Sequence, residues 1–297
     1  MSPGRAAARL RIGYLGPAGT FSDEAVRAAT AADGDAGELV AFASIHETVM
    51  AVQGRAIDRA LVPIENSLEG GVSATLDALA LEAREVAIVG ETVLAIRNCL
   101  IARNDLALEA IEVVVSHPQP LGQCARFLRD AVPQATVRAT TSTADAVREV
   151  AATDAPWAAL GPRAAAALYG CTVLRDGVDD EPDNATRFVW LARSGTPPAS
   201  SAGVDAWKTS VVFAGAGDQS PGWLVRCLSE FAFRGVNLTK IESRPRRRQL
   251  GHYLFLVDLE GAAQDGPGAE AIAGLRKHCE EVRVLGTYEA APDRPLD

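Results

Sequence analysis

The sequence predicts an α/β protein of two domains, the second with a ferredoxin-like βαββαβ order. In the first two thirds of the chain, short apolar runs typical of strands alternate with segments typical of helices. A polar run rich in proline, glycine and serine, SGTPPASSAGVD, then interrupts this pattern. A shorter pattern of strands and helices follows. We therefore expect a first domain over residues 9–193, a linker over 194–206 and a second domain over 207–290.

The first domain is predicted to begin with a strand over 11–15, a glycine-rich turn and a helix. Gly16 and Gly19 permit a tight turn, and Thr20 or Ser22 can cap a helix whose first residues are acidic. The same alternation continues through 44–54 and 58–66, then 85–96, 111–128, 135–147, and 157–162 before 163–170. Such alternation predicts an α/β sheet whose ligands bind in the loops at strand ends.

The second domain is predicted to start with a strand over 208–214. Ser220 and Pro221 are expected to begin an amphipathic helix that stops at Gly235. Strands over 236–243, 252–259 and 282–288, with a helix near 269–280, complete the βαββαβ order.

Composition excludes several classes of function. A net charge of −9 with a pI near 5.1 argues against a nucleic-acid partner, because the phosphate backbone attracts clustered Lys and Arg. The five cysteines are far apart and odd in number, which is typical of reduced cytosolic thiols, and no spacing indicates a metal site. With neither a signal peptide nor a membrane-spanning run in the sequence, we expect a cytoplasmic protein without a membrane partner.

Polar clusters follow five of the predicted strands, at the places where an α/β sheet holds its ligand. They offer hydroxyl, amide and backbone N–H donors, a combination that suits an anion. Each cluster alone also reads as ordinary helix capping. The clusters are 16–20, 65–67, 116–117, 141–143 and 184–187.

Four motifs carry a resemblance to a known family. They are VPIENSLEGGV at 62–72, SHPQPLGQC at 116–124, TSTADAV at 141–147 and NATRF at 184–188. In content, order and spacing they resemble prephenate dehydratases of the monofunctional type. The segment GVNLTKIESRP at 235–245 resembles the phenylalanine-binding ACT domain of those enzymes. The resemblance implies a catalytic domain of two lobes around a cleft, like that of periplasmic binding proteins, followed by a regulatory ACT domain.

The implied reaction converts prephenate to phenylpyruvate, carbon dioxide and water, a step of phenylalanine biosynthesis. Aromatisation of the ring drives it, so no cofactor or metal is expected. The enzyme has to hold a dicarboxylate, assist the departure of hydroxide and leave the departing carboxylate poorly solvated.

By its match to the family motif, Thr186 is the first catalytic candidate. We expect its hydroxyl to donate a hydrogen bond to the leaving hydroxyl group. Glu65 competes as an acid if burial raises its pKa, but it can equally cap the helix expected over 67–76. Asn66 is assigned an orientation role beside them.

The resemblance and the chemistry of the side chains also suggest a substrate-binding set. Arg187 can pair with a substrate carboxylate through two hydrogen bonds, or can form an internal salt bridge instead. His117 reads as structural rather than as a proton carrier. The predicted binding residues are Ser116, Gln123, Arg187, Thr20, Ser67 and Ser142.

In the second domain, the resemblance implies an effector site between two ACT domains, hence a homo-oligomer, a dimer or tetramer. The family's GALV-like motif reads GWLV here, so Trp223 either fills part of the effector pocket or is rotated into the domain interface. The implied effector residues are Gly222, Trp223, Leu224, Val225, Asn237, Leu238, Glu242, Ser243, Arg244 and Pro245.

Two alternatives stay open at this point. An arogenate dehydratase would perform the same chemistry on an amino-acid side chain, and no residue distinguishes it. A non-catalytic solute-binding protein could share the paired lobes. The joint presence of Glu65, Asn66, Gln123 and Thr186 and the missing export signal favour the enzyme.

Overall fold

The fold is that of a computed structural model that describes residues 9–33, 37–198, 206–215, 220–246 and 251–291. Most of the predicted linker, residues 199–205, lies outside the described residues. The strands are β1 (Arg11–Leu15), β2 (Glu38–Phe42), β3 (Arg59–Asn66), β4 (Gly70–Gly71), β5 (Val86–Ala95), β6 (Cys99–Ala102), β7 (Val113–Ser116), β8 (Thr136–Ala139), β9 (Trp157–Gly161), β10 (Thr172–Arg175), β11 (Ala185–Arg193), β12 (Trp207–Ala214), β13 (Leu238–Pro245), β14 (Tyr253–Glu260) and β15 (Glu281–Glu289).

The helices alternate with these strands, as the sequence pattern predicts. They are α1 (Phe21–Asp33), α2 (Ile45–Gln53), α3 (Ser73–Asp77), α4 (Pro118–Gln123), α5 (Ala125–Ala131), α6 (Thr143–Ala151), α7 (Arg163–Tyr169), α8 (Trp223–Ala232) and α9 (Gly266–Leu275), with a π-helical turn at Ala78–Glu82 and a 3₁₀ turn at Leu108–Ala110.

The strands up to β11 form two sheets, and each sheet is the centre of one lobe. The first lobe has the order β2-β1-β3-β11-β5, with β4 paired to β3. The second has the order β10-β6-β9-β7-β8. The chain leaves the first lobe after β5, builds the second lobe and returns in β11, which pairs antiparallel with both β3 and β5. Two chain crossings therefore connect the lobes, and the expected two-lobed α/β architecture is confirmed.

The last four strands form a separate antiparallel sheet in the order β13-β14-β12-β15. Together with α8 and α9 they give the predicted βαββαβ order. We call this part, residues 206–215, 220–246 and 251–291, the C-terminal unit. One face of its sheet packs on α8 and α9 through a cluster that includes Phe213, Trp223 and Phe231.

Three local predictions were wrong. Helix α8 begins later than expected, at Trp223, because its N-terminal cap is Gly222, with a φ of 76°, and not Ser220. Helix α9 ends at Leu275 rather than near 280. No helix spans 67–76: residues 70–71 pair with β3, and α3 starts at Ser73.

The C-terminal unit packs directly against the first lobe. A single apolar cluster contains Val62, Leu79 and Val189 of the lobe together with Leu256 and Tyr288 of the C-terminal unit. The contact is closest at Gly286, where a Cβ atom would lie 2.0 Å from the carbonyl oxygen of Ile88. Even an alanine at 286 would therefore push the two parts away from each other.

The described residues contain neither a membrane-spanning helix nor a cluster of metal-binding side chains. None of their helices is both long and apolar enough to cross a membrane. Nor do three or more His, Cys, Asp or Glu side chains come together there as a metal site. All five cysteines are free thiols, and the sulfur atoms of Cys227 and Cys279 lie 3.7 Å apart.

Candidate active site

A cavity of about 810 Å³ lies between the two lobes. This volume suits a small organic ligand. Its walls come from loops at the ends of β1, β2 and β3 in the first lobe and from the loops before α4 and α6 in the second. Five of the predicted site residues line it: Thr20, Asn66, Gln123, Ser142 and Thr186.

Thr186 and Asn66 lie side by side on β11 and β3, where they are paired in register. The Asn66 amide nitrogen donates to the Thr186 hydroxyl oxygen at 3.0 Å. The side-chain oxygen of Asn66 accepts hydrogen bonds from the backbone N–H groups of Leu68 and Glu69, both at 3.0 Å. These bonds fix the orientation of the side-chain amide. Because Asn66 donates to Thr186, the threonine hydroxyl keeps its own proton available for a ligand.

Asn184 extends this pair into a network between the lobes. Its side-chain oxygen accepts from Asn66 at 2.8 Å, and its amide nitrogen donates to the Gln123 oxygen of the second lobe at 3.1 Å. Asn184 is only 2% exposed and lies at the point where the chain returns to the first lobe. Asn184 belongs to the predicted polar cluster 184–187, but its position in the sequence indicates no particular role. Only the fold reveals it as the link between Asn66 and Gln123.

Two helices point their N-terminal turns at the cavity, one from each lobe. Thr20, Phe21 and Ser22 line it at the start of α1, and Ser142 and Thr143 line it at the start of α6. The first N–H groups of a helix have no partner within the helix, and the helix dipole adds partial positive charge there. The two ends therefore direct partial positive charge at the cavity from opposite walls, and at the α6 end the carboxylate of Asp145 also lines the wall.

The remaining polar groups of the cavity set its charge. No Lys or Arg of the described chain lines it. Hydrogen bonds from Thr141 lower the pKa of Asp145, with further lowering by Ser142 and Arg148, so Asp145 is an ionised carboxylate and not a proton donor near neutral pH. The Nδ1 of His117 accepts the Gln119 N–H at 3.3 Å, which leaves the proton of the neutral imidazole on Nε2.

Glu65 and Arg187 do not line the cavity, contrary to prediction. Side chains alternate between the two faces of a strand, so the neighbours of Asn66 and Thr186 point the other way. Arg187 instead pairs with Glu91 at 2.9 Å, with Asp258 at 2.5 Å and with Glu65 at 3.1 Å. The alternative of an internal salt bridge was the correct one for Arg187, and Glu65 caps no helix.

Ser116 and Ser67 also lie outside the cavity lining. The Ser116 side chain is fully buried and donates to the carbonyl oxygen of Leu160 at 2.7 Å, so it ties β7 to β9. The Ser67 hydroxyl accepts the N–H of Ala185 at 3.0 Å and holds the loop after β3 against β11. Both contacts serve the fold, and neither leaves the hydroxyl facing a ligand in the cleft.

A second cavity, of about 250 Å³, lies at the start of α8 in the C-terminal unit. Gly222, Trp223, Leu224 and Val225 line it, together with Tyr253 and Phe255. The other six predicted effector residues do not line this cavity. Those residues belong to β13 and the turn before it: Asn237, Leu238, Glu242, Ser243, Arg244 and Pro245.

The Trp223 indole is part of the core of the C-terminal unit. It is 4% exposed, its ring lies 6.1 Å from that of Phe213 and 5.9 Å from that of Phe255, and its Nε1 donates to the carbonyl oxygen of His278 at 2.7 Å. The side chain thus forms part of the cavity wall from the domain interior.

Fold and cleft together define a two-lobed α/β protein with a cavity for a small organic ligand between its lobes. The family model of prephenate dehydratase matches residues 12–196. The prephenate dehydratase of Mycobacterium tuberculosis is 38% identical over 289 residues, which cover 95% of this chain and 88% of the relative. The chain belongs to the prephenate dehydratase family, and it is a lyase that removes carbon dioxide and water from prephenate.

Solved structures agree with this assignment. A prephenate dehydratase from Arthrobacter aurescens in complex with L-Phe has a TM-score of 0.84 at 36% identity and covers 97% of this chain and 92% of its own. A structure described as a novel type of quorum quenching acylase has a TM-score of 0.79 at 27% identity, with 95% and 98% coverage. The same architecture therefore also occurs in a protein with a different described activity.

Proposed function

We propose that prephenate binds in the cleft between the lobes and that Thr186 donates a hydrogen bond to its leaving hydroxyl group. The observation that carries this role is the donation from Asn66 to Thr186, since it leaves the threonine proton for the substrate. As the carbon–carbon bond to the departing carboxylate breaks, its electron pair enters the ring and expels the hydroxyl group. The expelled hydroxide takes up a proton and leaves as water.

The two carboxylates of the substrate match the two helix ends in the cleft. We assign one carboxylate to the first turn of α1, near Thr20, and the other to the first turn of α6, near Ser142. Both helices are long enough to have a substantial dipole, over Phe21–Asp33 and Thr143–Ala151. Binding by neutral backbone N–H groups also suits decarboxylation, because a direct cationic partner would stabilise the carboxylate that has to leave.

The Thr186 hydroxyl is a donor on the wall of the cleft, and ionised Asp145 cannot supply a proton. In this proposal Thr186 stabilises the negative charge that develops on the leaving oxygen, and water delivers the net proton. Asn66 orients Thr186, while Gln123 and Asn184 hold the second lobe in register with it.

Turnover of prephenate to phenylpyruvate by the purified protein tests this proposal, with arogenate as the competing substrate. Thr186→Ala is expected to lower kcat by roughly 10²–10³-fold, as loss of one such donor does elsewhere. Thr186→Ser, which keeps the hydroxyl, is expected to retain part of the activity. Near-normal turnover by a folded Thr186→Ala protein would refute the role of Thr186.

We further propose that the C-terminal unit, over 207–290, is a regulatory ACT domain that binds phenylalanine, in a cytoplasmic homo-oligomer with the catalytic domain over 9–193. The L-Phe complex of the Arthrobacter relative supports this. Because the β13 residues do not line the cavity at Gly222–Val225, we assign them to the site through a second copy of the chain. Calorimetric titration with L-Phe, alongside light scattering to measure mass, tests both points.

A further inference from the structure

Six charged side chains meet on the face of β3 and β11 that is turned away from the cleft. The first lobe contributes two carboxylates and one cation, and the C-terminal unit contributes one carboxylate and two cations. We call these residues the back-face cluster: Glu65, Glu91, Arg187, Lys208, Lys240 and Asp258. Its formal charges cancel only when both parts of the chain are present.

The cluster is connected and largely buried. Arg187 is at its centre, with 11% of its side chain exposed and contacts to all three carboxylates. Lys208 lies 2.6 Å from Glu91, which is 1% exposed. Lys240, 6% exposed, lies 2.9 Å from Glu65. Burial lowers the pKa of Arg187. The nearby acidic groups, Asp258 first and then Tyr288 and the two glutamates, outweigh burial and raise this pKa above its ordinary value, so the guanidinium stays charged.

The cluster is one residue away from the reactive groups on two strands at once. Arg187 follows Thr186 on β11, and Glu65 precedes Asn66 on β3. The two pairs are opposite each other in register, Arg187 with Glu65 and Thr186 with Asn66. The register shifts directly after Arg187. The strand segments that hold Thr186 and Asn66 are therefore fixed on their other face by ion pairs rather than by apolar packing.

The C-terminal unit contacts the Glu65–Arg187 pair directly, because Lys240 pairs with Glu65 and Asp258 pairs with Arg187. Lys240 and Asp258 are themselves opposite each other on β13 and β14. Ser210 and Tyr288 hold Asp258 in place through hydrogen bonds of 2.6 and 2.7 Å in series. Removal of Lys240 would leave Glu65 with Arg187 alone and would draw the guanidinium away from Asp258 or Glu91.

We propose that Arg187 and Glu65 are positioning residues for the dehydratase reaction, and that Lys240 and Asp258 of the C-terminal unit hold them. They act through the backbone of β11 and β3 on the contact between Thr186 and Asn66. This rests on the proposed function of Thr186. Because a shift of the donor affects the transition state more than substrate binding, loss of the cluster lowers kcat and leaves KM nearly unchanged.

The test compares Lys240→Met with a matched control at the same contact between the two parts. Arg84 and Glu281 also form an ion pair across it, but they are 50% and 40% exposed. Arg84 precedes Val86, which pairs with Arg193 at the end of β11 opposite to Thr186, so Glu281→Gln is the control. Lys240→Met is expected to lower kcat about 10-fold with KM within about 2-fold, as a small misplacement of a reacting group does. Lys240→Arg is expected to restore most of kcat, and Glu281→Gln to change neither parameter.

A double-mutant cycle separates positioning from general destabilisation. If Lys240 acts through Glu65, Glu65→Gln and Lys240→Met lower kcat by less in combination than the product of their separate effects. Additive effects, or a fall in kcat no larger than in Glu281→Gln, overturn the proposal. If Lys240→Met does not fold, Glu65→Gln alone decides, since Glu65 is 35% exposed and the change keeps its shape. A Thr186→Ala protein with normal turnover would contradict the proposed function instead.

Discussion

The two faces of strand β11 have opposite chemistry. On the cleft face, Thr186 belongs to a network of neutral amides and hydroxyls with Asn66, Asn184 and Gln123. On the other face, one residue further along, Arg187 is the centre of a buried cluster of ions. In the proposed function, the neutral face binds a dianion, one carboxylate of which leaves as carbon dioxide. The ionic face can hold a strand and join two parts of the molecule, because buried charges tolerate few arrangements.

The comparison first predicts a large loss of stability from the ionic face. Arg187→Met leaves Glu91 and Asp258 buried with fewer partners, so we expect the free energy of unfolding to fall by about 3–5 kcal/mol. Urea unfolding followed by circular dichroism measures it. Thr186→Val, which replaces a hydroxyl by a methyl group on the neutral face, serves as the control and should lose about 1 kcal/mol. Equal losses from the two variants would mean that the faces do not differ in this way.

The cleft face predicts a large loss of activity instead. In Asn66→Asp, a carboxylate oxygen replaces the amide donor, so the Thr186 hydroxyl donates to residue 66 and no longer to the substrate. A fall in kcat of roughly 10²–10³-fold is expected, equivalent to about 2.7–4 kcal/mol. Steady-state kinetics with prephenate measures it. If Asn66→Asp kept most of its turnover, the direction of the hydrogen bond between Asn66 and Thr186 would not matter to catalysis.

A smaller effect is expected at the link between the lobes. Gln123→Ala removes the acceptor of the Asn184 amide, which lies 3.1 Å away. Loss of this hydrogen bond between the lobes costs about 1 kcal/mol. We expect KM to rise about 5-fold, as that free energy corresponds to, with a smaller change in kcat. Gln119→Ala, at another position that lines the cleft, is the comparison. A larger fall in kcat than rise in KM would assign Gln123 to the chemistry.

The smallest effect concerns Asp145 and depends on pH. Its pKa is lowered in the folded protein by hydrogen bonds from Thr141 first, and also from Ser142, so the ionised form stabilises the fold. This stabilisation is present above the unfolded pKa and is lost as pH falls through the folded pKa. Asp145→Asn should therefore be less stable than the wild type at about pH 6, and the difference should shrink as the pH falls through the folded pKa of Asp145. A stability difference that stays constant over this range would contradict the sign.

Regular elements could be predicted well from the sequence where a local pattern decides them. The strand at 11–15 and the helix after Thr20 follow from apolar runs and capping residues, and both formed as predicted. Prediction was less successful where a tertiary contact decides. Gly222 replaced Ser220 as the cap of α8, and residues 70–71 joined the sheet instead of a helix.

The candidate site divides in the same way. Thr186, Asn66, Gln123 and Ser142 were predicted from motifs and Thr20 from the polar cluster 16–20. All five line the cleft, and their roles in the reaction stay predictions. Ser116 and Ser67 carry the same kind of side chain but bond to the backbone. A hydroxyl group does not reveal in a sequence whether it faces a ligand or a neighbouring strand.

By itself, the sequence determined the alternation of strands and helices, the two-lobed α/β class and the resemblance to the family, because these depend on local periodicity and on motif order. Only the tertiary structure decided which face of each strand meets the cleft. Glu65 and Arg187 stand beside Asn66 and Thr186 in the motifs, yet they point to the C-terminal unit. The physical reason is the two-residue period of a strand, which sends neighbours to opposite faces and lets the packing of the sheets choose between them.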